Sequence, residues 1–250
     1  MIRAFYSAGA GMQAQQLGMD IRSNNISNIQ TTGYKKSSVE FSDLTYSVFR
    51  EPGDQRSGVQ LGMGVKVSGS NRSFSQGTLV KTDSPTDLAI NGTGFFALRG
   101  SDGQVFYTRD GSFRLSVEPD SRYLVSPQGE YLLDTNGSRI AIPYGITEIE
   151  VQADGSILNA GPDVRVGLFS FANPKGLEAA GNNRYRITVA SGEAVLDYSG
   201  EILQNYLESS NVDLIDEITA LIRTQRAFQL ASRVVQTADD MESIANNLST

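Results

Sequence analysis

The chain has 250 residues, 39% of them hydrophobic, enough to bury a real core and to make one to three domains. A formal net charge of -7 leaves no basic surplus to neutralise phosphates, so nucleic acid is not expected as a partner. His and Cys are both absent, which removes the usual general base, the thiolate nucleophile, disulfides and most transition-metal sites.

Residues 2–29 read as an amphipathic helix. Ile2, Phe5, Gly9, Met12, Gln16, Met19, Ser23 and Ile26 follow the alternating three and four spacing of a heptad seam. Gly9, Gln16 and Ser23 weaken that seam, and an isolated hairpin built on it would be marginal in water. Ala10, Ala14, Leu17 and Ile21 form a second stripe on another face. The first residues reach Gln13 and Gln15 before any continuous apolar block forms, so neither a Sec-type signal peptide nor a membrane-spanning helix is expected. Asn24, Asn25 and Asn28 fall at the helix end, where amide side chains can pair with orphan carbonyls or with an adjacent chain; their position fits either role. Gly33 is expected to supply the turn that ends the helix.

Residues 33–66 read as an extended connector with Pro52-Gly53, Gly58, Gly62 and Gly64 and a short apolar stretch from Val39 to Phe49. From residue 67 to 210 the pattern changes to strands and turns. Asn91-Gly92, Asp102-Gly103, Asp110-Gly111, Gln128-Gly129, Asn136-Gly137 and Asp154-Gly155 supply residues that tolerate positive φ. Between them lie β-prone runs such as Phe95 to Leu98, Val105 to Thr108, Tyr131 to Leu133, Ile146 to Val151 and Val164 to Phe171. Without strand and helix alternation, this is an all-β domain rather than a Rossmann or barrel enzyme.

Residues 212–248 return to helical spacing. Leu214, Ile218, Leu221, Gln225 and Phe228 make a seam that resumes, after one slip, as Ala231, Val234, Ala238, Met241, Ala245 and Leu248. Ile215, Ile222, Val235 and Ile244 lie off it, and a helix that is apolar on more than one side must bury itself against something further. The predicted fold class is α+β: a discontinuous helical coiled-coil domain of residues 1–32 with 211–250, an extended connector of 33–66, and a central β-rich outer domain of 67–210.

Carboxylate pairs for glycoside hydrolysis are conceivable at Asp83 with Asp87, or Asp110 with Glu118 and Asp120, but turn chemistry accounts for Asp110. The Asp134-Thr135-Asn136-Gly137 segment lacks the further ligands of a calcium loop and reads as a hairpin turn. The Gly-rich stretches Leu61-Gly62-Met63-Gly64 and Gly92-Thr93-Gly94 lack a following Lys-Ser/Thr and read as places of close backbone packing. No enzymatic role, cofactor or metal is expected.

Asn24-Asn25-Ile26-Ser27-Asn28 followed by Thr31-Thr32-Gly33-Tyr34-Lys35-Lys36 resembles the N-terminal signature of the rod and hook family of bacterial flagellar axial proteins. Leu207-Glu208-Ser209-Ser210-Asn211-Val212-Asp213, continuing through Thr224-Gln225-Arg226-Ala227-Phe228, is similar to the family's other end. Ser75-Gln76-Gly77, Asp87 to Ile90, Gly92 to Phe96, Tyr107 to Phe113 and Gly176-Leu177-Glu178 are similar to the distal rod subunits within it. The resemblance implies a structural subunit exported through the flagellar type III apparatus without a cleaved signal, and polymerised into a hollow helical tube across the periplasm. That tube carries torque from motor to hook and serves as an export channel. Expected partners are further copies, the proximal rod, the hook, the export apparatus and surrounding bushing rings, with no membrane insertion. Subunit packing is expected at Phe5, Met12, Leu17, Met19, Ile21, Asn24, Asn25, Ile26 and Asn28, and at Ile218, Leu221, Ile222, Gln225 and Phe228. A connector that looks short between Arg50 and Gly62 keeps a proximal rod subunit open as the alternative. A soluble coiled-coil oligomer with a ligand-binding β domain is a second alternative, and a wall hydrolase a third.

Overall fold

The computed structural model describes residues 2–49, 59–145, 149–158, 160, 164–197 and 199–248. Pro52-Gly53, Gly58, most of the stretch from Arg50 to Gly62, and Ile146 at the head of one expected strand lie outside these residues. Helices stand at both ends of the sequence, α1 (Ile2–Ser27) and α2 (Leu214–Leu248). Between them run β1 (Ser37–Asp43), β2 (Tyr46–Phe49), β3 (Val59–Gly62), β4 (Val65–Arg72), β5 (Leu79–Lys81), β6 (Leu88–Asn91), β7 (Phe95–Arg99), β8 (Val105–Thr108) and β9 (Arg114–Val117). They are followed by β10 (Arg122–Val125), β11 (Tyr131–Leu132), β12 (Ala141–Ile142), β13 (Leu168–Ser170), β14 (Glu178–Gly181), β15 (Arg184–Arg186), β16 (Val195–Leu196), β17 (Glu201–Gln204) and β18 (Tyr206–Glu208). The class is α+β, with a helix at each end and a β-rich middle.

The chain divides into two compact units, one of Met1–Ser27, Ser37–Arg72 and Asp213–Thr250, the other of Asn28–Lys36 and Ser73–Val212. Residues 37–49 and 59–72, within and just beyond the stretch read as an extended connector, therefore group with the helices. The reason is backbone pairing: β1 runs antiparallel to β4 from Ser37↔Arg72 to Asp43↔Val65, and β2 to β3 from Tyr46↔Gly62 to Phe49↔Val59. Each ladder satisfies backbone groups that an extended strand would leave to water. Both β1 and β4 pack against α1.

In this helical unit, α2 starts at Asp213, whose Oδ1 accepts from the N–H groups of Ile215 (2.8 Å) and Asp216 (3.1 Å). That is a helix N-cap, and Asp216 and Glu217 in the first turn suit the positive end of the dipole. α1 and α2 pack through small residues: Ala14 is buried, and a Cβ added to Gly18 would stand 3.4 Å from Thr224 Cγ2.

The β unit is built on a sheet with the path β12-β10-β11-β7-β8-β15-β14, to which β9, β13 and β16 add, while β17 pairs β6 and β18 pairs β5. The alternation along β7 explains its central place. Phe96 and Leu98 enter one apolar cluster with Leu88, Leu124, Leu132 and Ile202, and Phe95 and Ala97 enter another on the opposite face. In the second cluster Phe74, Phe95, Tyr107, Phe171 and Tyr185 meet edge to face, with centroids 4.9 to 6.0 Å apart. That geometry adds about 0.5–1.5 kcal/mol per pair beyond area. Gly92, Gly103, Gly129, Gly137 and Gly155 are at positive φ as expected, whereas Gly111 is not: there the glycine admits a close backbone approach, since a Cβ would lie 1.5 Å from Leu88 O.

Candidate functional site: an exposed helix face and a buried polar latch

The helical unit wears its large apolar side chains outside. On α2, Ile215 is 76% exposed and Leu230 61%, with Ile222, Val234, Met241 and Ile244 also open, whereas the residues turned inward are Glu217 and Thr224. The expected seam is therefore rotated by one residue. Leu221 and Phe228 are half-buried, while Ile218, Ile222 and Gln225 are exposed. Hydrogen bonding gives the reason. Glu217 Oε2 accepts from Asn25 Nδ2 at 3.3 Å and lies 3.7 Å from Arg22 Nη1, so the carboxylate has to face α1.

On α1, Asn25 is fully buried and ties the helix to β1: its Nδ2 donates to Ser37 O at 2.8 Å, and its Oδ1 accepts from Ser37 N–H at 3.0 Å. The side-chain amide pairs with the strand as a peptide group would. Asn24 is exposed, and Asn28 Oδ1 accepts from Thr31 Oγ1 at 3.3 Å. Phe5 and Leu17 are exposed, and Met12, Met19, Ile21 and Ile26 half-buried. Phe5, Met12 and Phe228 come together around an open groove of about 510 Å³ whose floor is Gly9 and Ala10.

The β unit holds the second feature. Glu208, the last residue of β18, points its carboxylate into the interior. Its Oε1 accepts from Lys35 Nζ at 2.5 Å and from Gly77 N–H at 2.7 Å, and its Oε2 from Arg109 Nη1 at 3.4 Å. Lys35 Nζ also donates to Ser75 O, and Arg109 Nη2 to Gly92 O, each at 2.8 Å. The Lys35 and Glu208 side chains are both completely buried. Burial pulls the Lys35 ammonium below its usual range, opposed by Glu208 and helped by Arg109, and burial likewise lowers Arg109 against the pull of Glu208. Two cations on one carboxylate out of water hold only while every partner is present.

This knot fastens residues 28–36 into the β unit as a strap. Gly33 N–H donates to Glu208 O (2.8 Å), Lys36 N–H to Asn211 Oδ1 (2.8 Å), Ser73 N–H to Lys36 O (2.9 Å), Thr32 Oγ1 to Asp110 Oδ1 (3.0 Å) and Asn183 Nδ2 to Thr32 O (2.8 Å). Gly33 thus has a different role from the one expected. α1 has already ended at Ser27, and Gly33, at φ +66, lets the strap cross the Arg109-Asp110 backbone, where a Cβ would lie 2.5 Å from Asp110 N. Gly77 is equally constrained, since a Cβ there would lie 2.0 Å from Ser209 O. The signature segments at 31–36, 75–77, 107–113 and 207–213 are one physical object. Sequence reading singled out all of them, yet no periodicity could pair Lys35 with Glu208.

Of the carboxylates considered for hydrolysis, Asp110 and Glu118 are engaged in side-chain hydrogen bonds. Asp110 Oδ1 accepts from Thr32 Oγ1 and from Ser112 N–H and Oγ, and Glu118 Oε1 accepts from Tyr131 OH at 2.5 Å. Asp134 Oδ1 accepts from Asn136 N–H (2.8 Å) and Ser138 N–H (2.7 Å), a turn of the expected kind.

Family models match along the chain: a flagella basal body rod protein model at residues 5–35, a flagellar hook protein FlgE/F/G D1 domain at 89–159, and a flagellar basal body rod FlgEFG protein C-terminal model at 203–248. The flagellar basal-body rod protein FlgG of Caulobacter vibrioides is 39% identical, with 99% of each chain covered. That of Buchnera aphidicola subsp. Acyrthosiphon pisum is 38% identical, and that of Bacillus subtilis 34%, each over 96% of this chain and 97% of the relative. With both terminal helices, the strap and the β unit inside the matched length, the chain belongs to the flagellar basal-body rod protein FlgG family.

Proposed function

We propose that the protein is a structural subunit of the distal rod, working by shape and polymerisation rather than by catalysis. Copies pack through α1 and α2 into a hollow helical tube that carries torque from motor to hook and leaves a central export channel. The observation that carries this reading is the exposed apolar side of the helical unit. A helix that buries Glu217 and Thr224 while exposing Ile215, Ile222, Leu230, Val234, Met241 and Ile244 is incomplete as a monomer. Neighbouring copies, arranged as a coiled-coil wall, supply the missing side, and Phe5, Leu17, Ile218 and Ile222 are the apolar packing residues exposed to them. The β unit forms the outer domain, met by the surrounding bushing rings. Proximal rod and hook subunits cap the two ends of the tube, and the chain reaches the periplasm through the type III export apparatus.

Electron microscopy of the concentrated purified chain tests this directly. Filaments are expected, because a contact between different faces that does not close makes an open polymer. A discrete oligomer of fixed size at every concentration would contradict it.

A further inference from the structure

Gly9 stands inside α1, where glycine costs about 1 kcal/mol relative to alanine. A Cβ built on it would meet no atom of the chain within 4 Å. Packing within one copy therefore gives no reason for a glycine at this point. What the missing side chain does is open a notch in the row Phe5, Gly9, Gln13, in the groove that Tyr6, Met12 and Phe228 also line.

The same unit carries a matching ridge. Ile218, Ile222, Leu230 and Val234 recur on one four-residue row of α2, broken by Arg226, and all four apolar residues are exposed. Rows of this spacing are the ridges that pack into grooves between helices. Leu230 is the most exposed of the four. Phe228, which lines the groove, precedes Leu230 by two residues, and at about 100° per residue the two side chains point to opposite sides of the helix.

We infer that Leu230 and Val234 of one copy seat in the Gly9 groove of a second copy. This rests on the subunit reading above and goes beyond it by fixing which faces meet. Because groove and ridge lie at the same height on opposite sides of the helix pair, the contact moves one copy sideways by about 20 Å, the width of two helices. It joins unlike faces, so it repeats from copy to copy instead of closing as a symmetric dimer.

The absence of native cysteine makes the test clean. α1 and α2 run antiparallel, so with Leu230 on Gly9 the neighbour's Gln13 faces Arg226; Gln13→Cys and Arg226→Cys are made in separate chains, polymerised alone and as a mixture, and oxidised. A disulfide-linked pair is expected from the mixture and from neither variant alone. Filaments of the mixture without that pair, or self-linking of each variant to an equal extent, would overturn the contact. As a second readout, Gly9→Leu is expected to raise the critical concentration for assembly by about tenfold, equivalent to 1.4 kcal/mol per contact, without lowering helix content in the dilute chain. Assembly at the parent concentration would also overturn it. If the parent itself makes no filaments, the subunit reading fails; if the parent assembles and the cross-link is missing, only this contact does.

Discussion

The two compact units bury opposite kinds of residue. Inside the β unit lie Leu88, Phe96, Leu98, Leu124 and Leu132, with charge admitted at the Lys35, Arg109 and Glu208 knot. Inside the helical unit lie Ala14, Gly18, Asn25, Glu217 and Thr224, while the leucines and isoleucines of its described residues are exposed or only half-buried. The first pattern belongs to a unit that is complete in one copy. The second fixes the mutual register of α1, α2 and β1 by hydrogen bonds, which are directional, and leaves the non-directional hydrophobic gain to contacts made later.

The sharpest way to break this comparison is at Glu208. Glu208→Ala leaves Lys35 and Arg109 buried with no carboxylate, and is expected to cost the β unit about 3–5 kcal/mol in urea unfolding. Lys35→Met keeps Glu208 paired with Arg109 and with Gly77 N–H, and the loss expected is smaller, about 1–3 kcal/mol. If Lys35→Met costs more than Glu208→Ala, the carboxylate is not the hub. Next in size is Asn25→Ala, which removes both bonds to Ser37 and the one to Glu217. It is expected to cost about 1–3 kcal/mol, read as faster hydrogen exchange in α1 and β1 with the β unit unmoved. Equal effects on both units would erase the distinction between them.

The smallest effect expected is one of pH. The Asp197 carboxyl is held below its ordinary 3.8 by the side chain and backbone N–H of Ser199, against desolvation, with Thr93 and Arg109 helping. A carboxyl that ionises more readily when folded contributes stability above 3.8, and that contribution is lost as the pH falls through its lower folded value. Asp197→Asn is therefore expected to be less stable than the parent at neutral pH and to converge with it in acid. A constant difference across the titration would show that the hydrogen bonds, not the charge, matter there.

Much of this architecture is legible in the sequence. The turn glycines and the alternation of Phe95 to Leu98 announce the β unit, and the three and four spacings announce both helices. The register of α2 is not legible, because a helix apolar on two faces offers periodicity two solutions. Glu217 chooses between them by reaching Asn25, a contact 192 residues away in the chain. The strap escaped for the same reason, since Lys35 and Glu208 are 173 residues apart and neither lies in a repeating pattern. The strands of residues 37–49 are hidden by composition: Ser37, Ser38, Ser42 and Ser47 read as loop until a partner strand supplies the ladder.

The central claim is that the helical unit is completed by other copies and the β unit is not. Native-state hydrogen exchange, compared between dilute monomer and assembled polymer, tests it most directly. Amides of α1 and α2 are expected to be less protected in the monomer than those of β7, β8 and β15 and to gain strong protection on assembly, while those of β7, β8 and β15 keep the same protection in both. Helices already as protected in the dilute monomer as in the polymer would contradict the account.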